Sequence, residues 1–271
     1  STCLVVADGP TTLFAAKPDD PMAAASNQKL VTALTALEVL GPDATFTTTI
    51  AAAGPPANGV VAGDLWVIGG GDPLIDSDTY QATLKYGRTA HTSVESIADQ
   101  IVAAGVTSIT GSVKGDDGHF DRIRTVPSWP DRYLSQNQVG PLSALSVNDA
   151  RTYRVIAGSS SGTPRPASDP PAYAADALTQ LLVARGVTVA GPAGSGDAPD
   201  GLETLVDVPS LPVSELVKEM LNFSDNNTAE LLTKAVGLAA SDDPSTAAGL
   251  AQAAEVLTEA GVDMDGIALV D

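Results

Sequence analysis

The sequence contains one cysteine, Cys3, and only two histidines among 271 residues. A single cysteine cannot form a disulfide within the chain, so cysteine usage leaves the redox compartment open. Basic residues are also scarce, with 14 Lys and Arg against 33 Asp and Glu, which gives a net charge of −19. This charge repels phosphate backbones and no basic cluster offsets it, so we expect no nucleic-acid partner.

Long apolar runs are absent as well. The longest candidate, 30–40, contains two threonines and a glutamate, and it is shorter than the roughly 18 residues that a membrane-spanning helix needs. We therefore predict no transmembrane segment in this sequence. The chain begins at Ser1 rather than at methionine, which is consistent with removal of a signal peptide or a longer leader.

The shortage of histidine also limits metal and triad chemistry. One acidic cluster has the residue types of a metal site: Asp116, Asp117, His119 and Asp121. No second histidine lies at ligand spacing, and Gly-Asp-Asp-Gly at 115–118 is typical of a turn. A Ser-His-Asp triad would need His91 or His119, and neither lies near a nucleophile-elbow motif. We predict no metal and no cofactor.

What the sequence does contain is a serine three residues before a lysine, Ser26 and Lys29, at the start of an apolar-periodic run. This spacing places both side chains on one face of a helix, about one turn apart. The serine then lies in the first turn of the helix, where free backbone N–H groups face the proposed site. The pattern suits a serine nucleophile whose proton is taken by lysine. Alone it is weak, because chance supplies such a pair in many chains.

A second motif, Ser224-Asp225-Asn226, lies between two helix-like runs. A serine hydroxyl there can relay a proton, and an asparagine amide can orient a lysine and a substrate amide. Asn226 or Asn227 is the expected cap of the second helix, with Gly237 at its end. Two other Ser-x-Asn triplets, at 135–137 and 146–148, lie in a loop and in an apolar segment, so we prefer the triplet at 224–226.

These motifs resemble the first two motifs of the penicillin-recognising serine D,D-peptidases. The chain is similar, over nearly its whole length, to the class C low-molecular-mass penicillin-binding proteins, which are D-alanyl-D-alanine carboxypeptidases and endopeptidases. The stretches 65–73, 109–121 and 141–148 share this similarity. The resemblance implies that Ser26 is acylated, that Lys29 is its base, that Ser224 relays the proton and that Asn226 helps to hold the substrate.

The family's third motif, Lys-Thr-Gly, does not occur in the sequence. The resemblance implies an α+β fold consisting of a split penicillin-binding/β-lactamase-like transpeptidase domain, and the missing motif leads us to expect that this domain is truncated at its C-terminal end. The 198 residues between Ser26 and Ser224 exceed what one helical subdomain needs. We predict that 1–55 and 206–271 form the peptidase domain and that 56–205 form an inserted β-rich domain, in which the loop at 158–167 is a mobile excursion.

Turn residues, cap residues and the spacing of apolar residues also predict individual helices and strands. A hairpin is expected near the N-terminus, with its turn at 8–10. Helices are expected at 94–104, 173–184, 214–222, 228–236 and 244–260. Ser93 and Asp243 are the expected caps of the first and last of these helices. Lys234 either borders the cleft or, in a last helical turn, complements the helix dipole.

The resemblance implies a serine-type D-Ala-D-Ala carboxypeptidase, and possibly an endopeptidase, that acts on peptidoglycan peptides ending in or cross-linked through D-Ala. It also implies acylation and inhibition by β-lactams, and an extracytoplasmic location. Two alternatives remain open at this point. One is a serine β-lactamase, although no glutamate positioned to activate water is recognisable. The other is a non-catalytic cell-wall binding or scaffold homologue.

Overall fold

A computed structural model describes residues 3–18, 20, 22–85, 87–156 and 164–269. The loop expected at 158–167 lies outside the described residues up to position 163. The described residues form a five-stranded sheet with helices packed on it, three smaller sheets and a neighbouring layer of helices.

The strands of the described residues are short, and their bounds are as follows: β1 Leu4–Asp8, β2 Thr11–Ala16, β3 Thr47–Ala52, β4 Val60–Val61, β5 Leu65–Ile68, β6 Ile75–Asp76, β7 Thr92–Ser93, β8 Ser108–Ile109, β9 Val113–Asp116, β10 Thr188–Val189, β11 Gly194–Ser195 and β12 Glu203–Pro209. The helices are α1 Gln28–Val39, α2 Asp78–Gln81, α3 Val94–Ala103, α4 Arg132–Ser135, α5 Pro170–Ala184, α6 Val213–Phe223, α7 Asn226–Ser241 and α8 Thr246–Glu259. A short 3-10 turn, Ala25–Asn27, precedes α1.

The largest sheet has the strand order β11-β9-β5-β3-β12. Strands β5, β9 and β11 run parallel to one another, whereas β3 is antiparallel to both β5 and β12. Helices α3 and α5 pack on this sheet through a buried aliphatic core that includes Ile50, Leu65, Ile101, Leu178 and Leu182. The apolar stripes of the two helices are therefore covered by the strands.

The same sheet joins the two parts of the chain that the sequence assigns to different domains. Strand β3 lies inside the predicted segment 1–55, yet it pairs with β5 of the predicted insertion. Strand β12 crosses the predicted boundary at 205 and 206 and pairs with β3 in the same sheet. The division into a peptidase domain and an inserted domain stays a prediction.

Helices α1, α6, α7 and α8 form the second layer. Its core contains Ala33, Leu216, Met220, Leu232 and Val236. Helix α8 approaches α7 so closely that a Cβ atom on Gly249 would lie 1.9 Å from the carbonyl oxygen of Thr233. Backbone-to-backbone contact at this point requires glycine.

The N-terminal hairpin is confirmed. Strands β1 and β2 are antiparallel, with Asp8 opposite Thr11, and Gly9 has a φ of +56° in the turn between them. The hairpin residues are almost all exposed in this chain. None of the helices in the described part of the chain is long and apolar enough to cross a bilayer.

All five predicted helices are present, with ends that differ by a few residues. Ser93 caps α3 as expected, since its Oγ accepts from the Ser96 backbone N–H at 3.1 Å. Two other capping predictions are wrong. Asp225, not Asn226 or Asn227, caps α7 through the Thr228 N–H at 3.0 Å, and Ser245, not Asp243, caps α8. In both helices the cap is the side chain that accepts a hydrogen bond from the backbone N–H of the third helical residue.

The predicted end of α7 at Gly237 is also wrong, because this helix continues to Ser241. Gly237 lies inside the helix at a crowded position, where a Cβ atom would lie 2.8 Å from the Gly249 backbone nitrogen. Its small size serves the packing of α8 against α7, which a one-dimensional pattern does not separate from a stop signal.

Candidate active site

Ser26 lies in the 3-10 turn that leads directly into α1. The preceding residue, Ala25, has a φ of +48°, a left-handed conformation that costs a non-glycine residue roughly 1–2 kcal/mol. Such strain persists only where surrounding contacts hold it, and it often marks a functional site. Ser26 is exposed, whereas Lys29, one turn further along, is 7% exposed.

Three side chains converge on this turn. Lys29 Nζ lies 3.5 Å from Ser26 Oγ, at the long limit of a hydrogen bond. Ser224 Oγ donates to Ser26 Oγ at 2.9 Å, although the two serines are 198 positions apart. Ser26 therefore has a lysine amine on one side and a second hydroxyl on the other.

Asn226 completes the group and is fixed at both ends of its amide. Its Oδ1 accepts from Lys29 Nζ at 2.5 Å, and its Nδ2 donates to the Gln138 carbonyl at 2.6 Å. Because an amide has one accepting and one donating end, these two partners define which way the side chain is oriented. All four residues expected at the site from sequence, Ser26, Lys29, Ser224 and Asn226, are thus brought together.

The turn between α6 and α7 presents two of them. Ser224 follows α6 in a left-handed conformation with a φ of +56°, and Asp225 then caps α7. As a result the side chains of Ser224 and Asn226 reach Ser26 and Lys29. Asp225 instead contacts the loop between α2 and β7, where its Oδ2 accepts from Arg88 at 2.5 Å.

Ser26, Lys29 and Asn226 line a cavity of about 640 Å³, which is within the range of small-molecule sites. Among the other lining residues are Trp129, Tyr133, Glu230, Thr246, Leu250 and residues 266–269. Glu230 is 4% exposed, so a buried carboxylate borders the cavity that no sequence pattern singled out.

A buried charge cluster adjoins the turn. The Arg88 guanidinium contacts the carboxylates of Asp76, Asp149 and Asp225. Although burial opposes the charge, these carboxylates raise the pKa of Arg88 well above its ordinary value. Burial raises the pKa of Asp76 to about 7, an effect that Arg88 opposes and that repulsion from Asp149 and Asp225 reinforces. Three carboxylates therefore share one cation.

The remaining sequence candidates have structural roles. Asn148, from one alternative Ser-x-Asn triplet, is buried and accepts from the backbone of Ser77 at 2.8 Å, and Ser135 lies on the short helix α4. Lys234 is 1% exposed and forms an ion pair with Asp121. Lys234 lies in the middle of α7, so the interpretation as a last-turn residue is wrong.

The acidic stretch that has the residue types of a metal site pairs with arginines. Asp117 accepts from Arg122 at 3.1 Å and also contacts Arg124. In the residues that the structure describes, no group of three or more His, Cys, Asp or Glu side chains has an arrangement that could hold a metal ion.

Comparison with known proteins supplies the family. The profile of the D-Ala-D-Ala carboxypeptidase 3 (S13) family matches residues 4–165 and 155–271. The chain belongs to this family. A D-alanyl-D-alanine carboxypeptidase of Actinomadura sp. (strain R39) is 28% identical over 96% of this chain and 58% of its own length. A carboxypeptidase of Mycobacterium tuberculosis is 28% identical over 93% of this chain and 51% of its own length.

The fold comparison agrees with the family. The crystal structure of penicillin-binding protein 4 (dacB) from Haemophilus influenzae matches with a TM-score of 0.78 and 19% identity, over 96% of this chain and 67% of that one. The expected α+β, penicillin-binding-type fold is therefore confirmed. This chain spans a little more than half the length of the two curated relatives.

Sequence reasoning missed the residues that hold the site together. Arg88, Gln138 and Asp225 contact the turn at 224–226 or cap the helix after it. Asp225 was within the motif and carried a cap signal, since Asp is among the preferred N-cap residues. Arg88 and Gln138 carried no local signal, because their partners lie 137 and 88 positions away.

Proposed function

We propose that this chain carries the nucleophile of a serine D-alanyl-D-alanine carboxypeptidase that also cleaves D-Ala cross-links of peptidoglycan, and that β-lactams acylate it. The observation that carries the proposal is the continuous set of contacts from Asn226 to Lys29, Ser26 and Ser224. A nucleophile, a base and a proton relay within hydrogen-bond reach are the parts that acyl transfer needs.

In the proposed reaction, neutral Lys29 takes the proton of Ser26 as Oγ attacks the carbonyl carbon of the penultimate D-alanine. Backbone N–H groups at the start of α1 are suited to stabilise the oxyanion, a contribution typically worth about 10²–10³ in rate. The proton passes to the departing amine through Ser224, which contacts Ser26 Oγ. The C–N bond breaks, and an ester on Ser26 and a free amine remain.

Water then hydrolyses the ester, which regenerates the Ser26 hydroxyl and releases the shortened peptide. A β-lactam forms the same ester, but its amine stays tethered to the acyl group. Because the tethered amine cannot diffuse away, the acyl-enzyme is expected to persist. Peptidoglycan lies outside the cytoplasm, so the proposal includes an extracytoplasmic location.

The test is incubation of the protein with benzylpenicillin, followed by intact mass measurement and peptide mapping of the adduct. We expect one penicilloyl group on Ser26, none in Ser26→Ala, and unchanged labelling in Ser135→Ala, which removes an exposed serine of the alternative triplet. Labelling that survives in Ser26→Ala would contradict the assignment of the nucleophile.

Two further measurements separate the proposal from its alternatives. Release of D-alanine from a peptide ending in D-Ala-D-Ala tests the peptidase directly. Rapid nitrocefin turnover without a persistent adduct would favour a β-lactamase, and absence of both adduct and turnover would favour a non-catalytic homologue. The sequence has no Lys-Thr-Gly motif, so the same assay shows whether the residues present suffice for acylation.

A further inference from the structure

A short loop contacts both the turn at 224–226 and the helix that precedes this turn. The loop lies between α2 and β7 and includes Arg88 and Thr89. The Arg88 side chain is 6% exposed, and it contacts Asp225 at 2.5 Å and Asp149 at 2.9 Å. Asp225 lies between Ser224 and Asn226 in the sequence. Arg88 therefore contacts the direct neighbour of two proposed site residues.

The next loop residue contacts the preceding helix. The Thr89 backbone N–H donates to Glu219 Oε1 at 3.2 Å, and the Thr89 hydroxyl donates to the same oxygen. Glu219 is 1% exposed and lies on α6, five residues before Ser224. Two adjacent loop residues therefore hold the turn itself and the helix that precedes it.

The turn needs such contacts because its conformation is strained. Ser224 has a φ of +56° and a ψ of +40°, which for a non-glycine residue costs roughly 1–2 kcal/mol. The Asp225 carboxylate offsets this cost through both of its oxygens. Oδ1 caps α7 by accepting from the Thr228 N–H at 3.0 Å, and Oδ2 accepts from Arg88. A buried charge-assisted hydrogen bond is among the stronger side-chain contacts.

We propose that Arg88 is a positioning residue that, through Asp225, holds Ser224 and Asn226 against Ser26 and Lys29 and so controls the rate of acylation. This inference rests on the proposed function for its effect on rate, but the positioning itself does not depend on it. A misplacement of about 1 Å at a reacting group can cost about a hundredfold in rate.

The competing explanation is that Arg88 only neutralises buried carboxylates. In that case any carboxylate of the cluster would be equivalent, because each contributes one charge near the guanidinium. The positioning proposal makes Asp225 different from Asp149, since only Asp225 belongs to the catalytic turn. The two residues therefore form a matched pair for substitution.

Asp225→Asn removes the carboxylate that Arg88 contacts but retains an oxygen that can cap α7, because Asn is as good an N-cap as Asp. Its amide nitrogen would face the guanidinium, where two donors repel each other. Asp149→Asn removes the same charge elsewhere in the cluster. Asn also tolerates the φ of +54° at position 149.

Acylation by a fluorescent penicillin is measured for both variants as a rate constant, a non-covalent binding constant and an active fraction. We expect Asp225→Asn to lower the rate constant by about tenfold or more, with the active fraction and binding constant retained. Asp149→Asn is expected to acylate at the wild-type rate. Equal rates in the two variants, or a loss confined to the active fraction, would overturn the proposal.

Amide hydrogen exchange over 220–228 provides a readout that needs no catalysis. We expect faster exchange in Asp225→Asn than in Asp149→Asn or the wild type, and equal exchange would overturn the positioning role. If the wild type is not acylated at all, the proposed function fails, and the exchange measurement still decides whether Arg88 holds the turn.

Discussion

Lys29 Nζ donates to Asn226 Oδ1 at 2.5 Å across 197 positions of sequence. This contact joins the N-terminal end of α1 to that of α7. The positive ends of two helix dipoles therefore lie beside the same amine.

Replacement of this amine tests the proposed base. We expect Lys29→Met to lose acylation by about 10²–10⁴-fold, the usual contribution of general-base catalysis, while the melting temperature stays close to that of the wild type. Lys218→Met removes an exposed lysine that pairs with its helical neighbour Glu215 and serves as the control. Wild-type acylation in Lys29→Met would exclude the base role.

The hydroxyl and the backbone conformation of Ser224 can be tested separately. Both Ser224→Ala and Ser224→Gly remove the hydroxyl that contacts Ser26 at 2.9 Å, so both should lose D-alanine release by about 10²–10⁴-fold. Glycine relieves the strain of a φ of +56°, so Ser224→Gly should be more stable than Ser224→Ala by about 1 kcal/mol.

Activity and urea denaturation of the two variants provide the measurement. If Ser224→Gly is inactive and Ser224→Ala is active, the backbone rather than the hydroxyl is the relevant feature. If Ser224→Ala is the more stable variant, position 224 is not strained.

The four proposed site residues were predictable from sequence because they lie in two short motifs beside helix starts. Ser26 and Lys29 are related by local helix geometry, and Ser224 and Asn226 by a turn between two periodic segments. Their mutual contacts were implied only by resemblance to a family, since no local rule relates positions 198 residues apart.

The supporting contacts were not predictable, for a physical reason. Arg88 has no neighbouring acidic residue in sequence; its partners Asp76, Asp149 and Asp225 converge only when three separate segments fold. The sequence predicts a helix end at Gly237, because a pattern alone does not distinguish a glycine that ends a helix from one that permits close packing. Only the position of α8 decides between these two uses.

Asp72 should make stability depend on pH. Burial raises its pKa from 3.8 to about 6, against hydrogen bonds from Thr92 and Leu74 that lower it. Between about pH 4 and 6 the folded protein holds a proton on Asp72 that the unfolded chain has released. The contribution of Asp72 to the free energy of unfolding therefore falls as pH rises, by up to about 1.4 kcal/mol per pH unit.

Urea denaturation of the wild type and Asp72→Asn across this range isolates the effect, because all other carboxylates titrate in both proteins. We expect the wild type to lose stability relative to Asp72→Asn as pH rises to about 6, with little further relative change above it. A relative stability that rises with pH would mean that Asp72 is ionised in the folded protein throughout.

Close packing between α7 and α8 provides a final prediction. Alanine normally stabilises a helix interior by about 1 kcal/mol relative to glycine, but a Cβ on Gly249 would lie 1.9 Å from the Thr233 carbonyl oxygen. The helices must separate to admit it, so Gly249→Ala should lower the free energy of unfolding by roughly 1–3 kcal/mol.

Gly54→Ala is the control, because nothing lies within 4 Å of a Cβ at that position. Urea denaturation should show a lower midpoint for Gly249→Ala and an unchanged one for Gly54→Ala. Since Thr246 and Leu250 of α8 line the cavity beside Ser26, Gly249→Ala should also slow acylation. A stabilised Gly249→Ala protein would mean that helix propensity outweighs the contact and that α8 is not held against α7 by backbone packing.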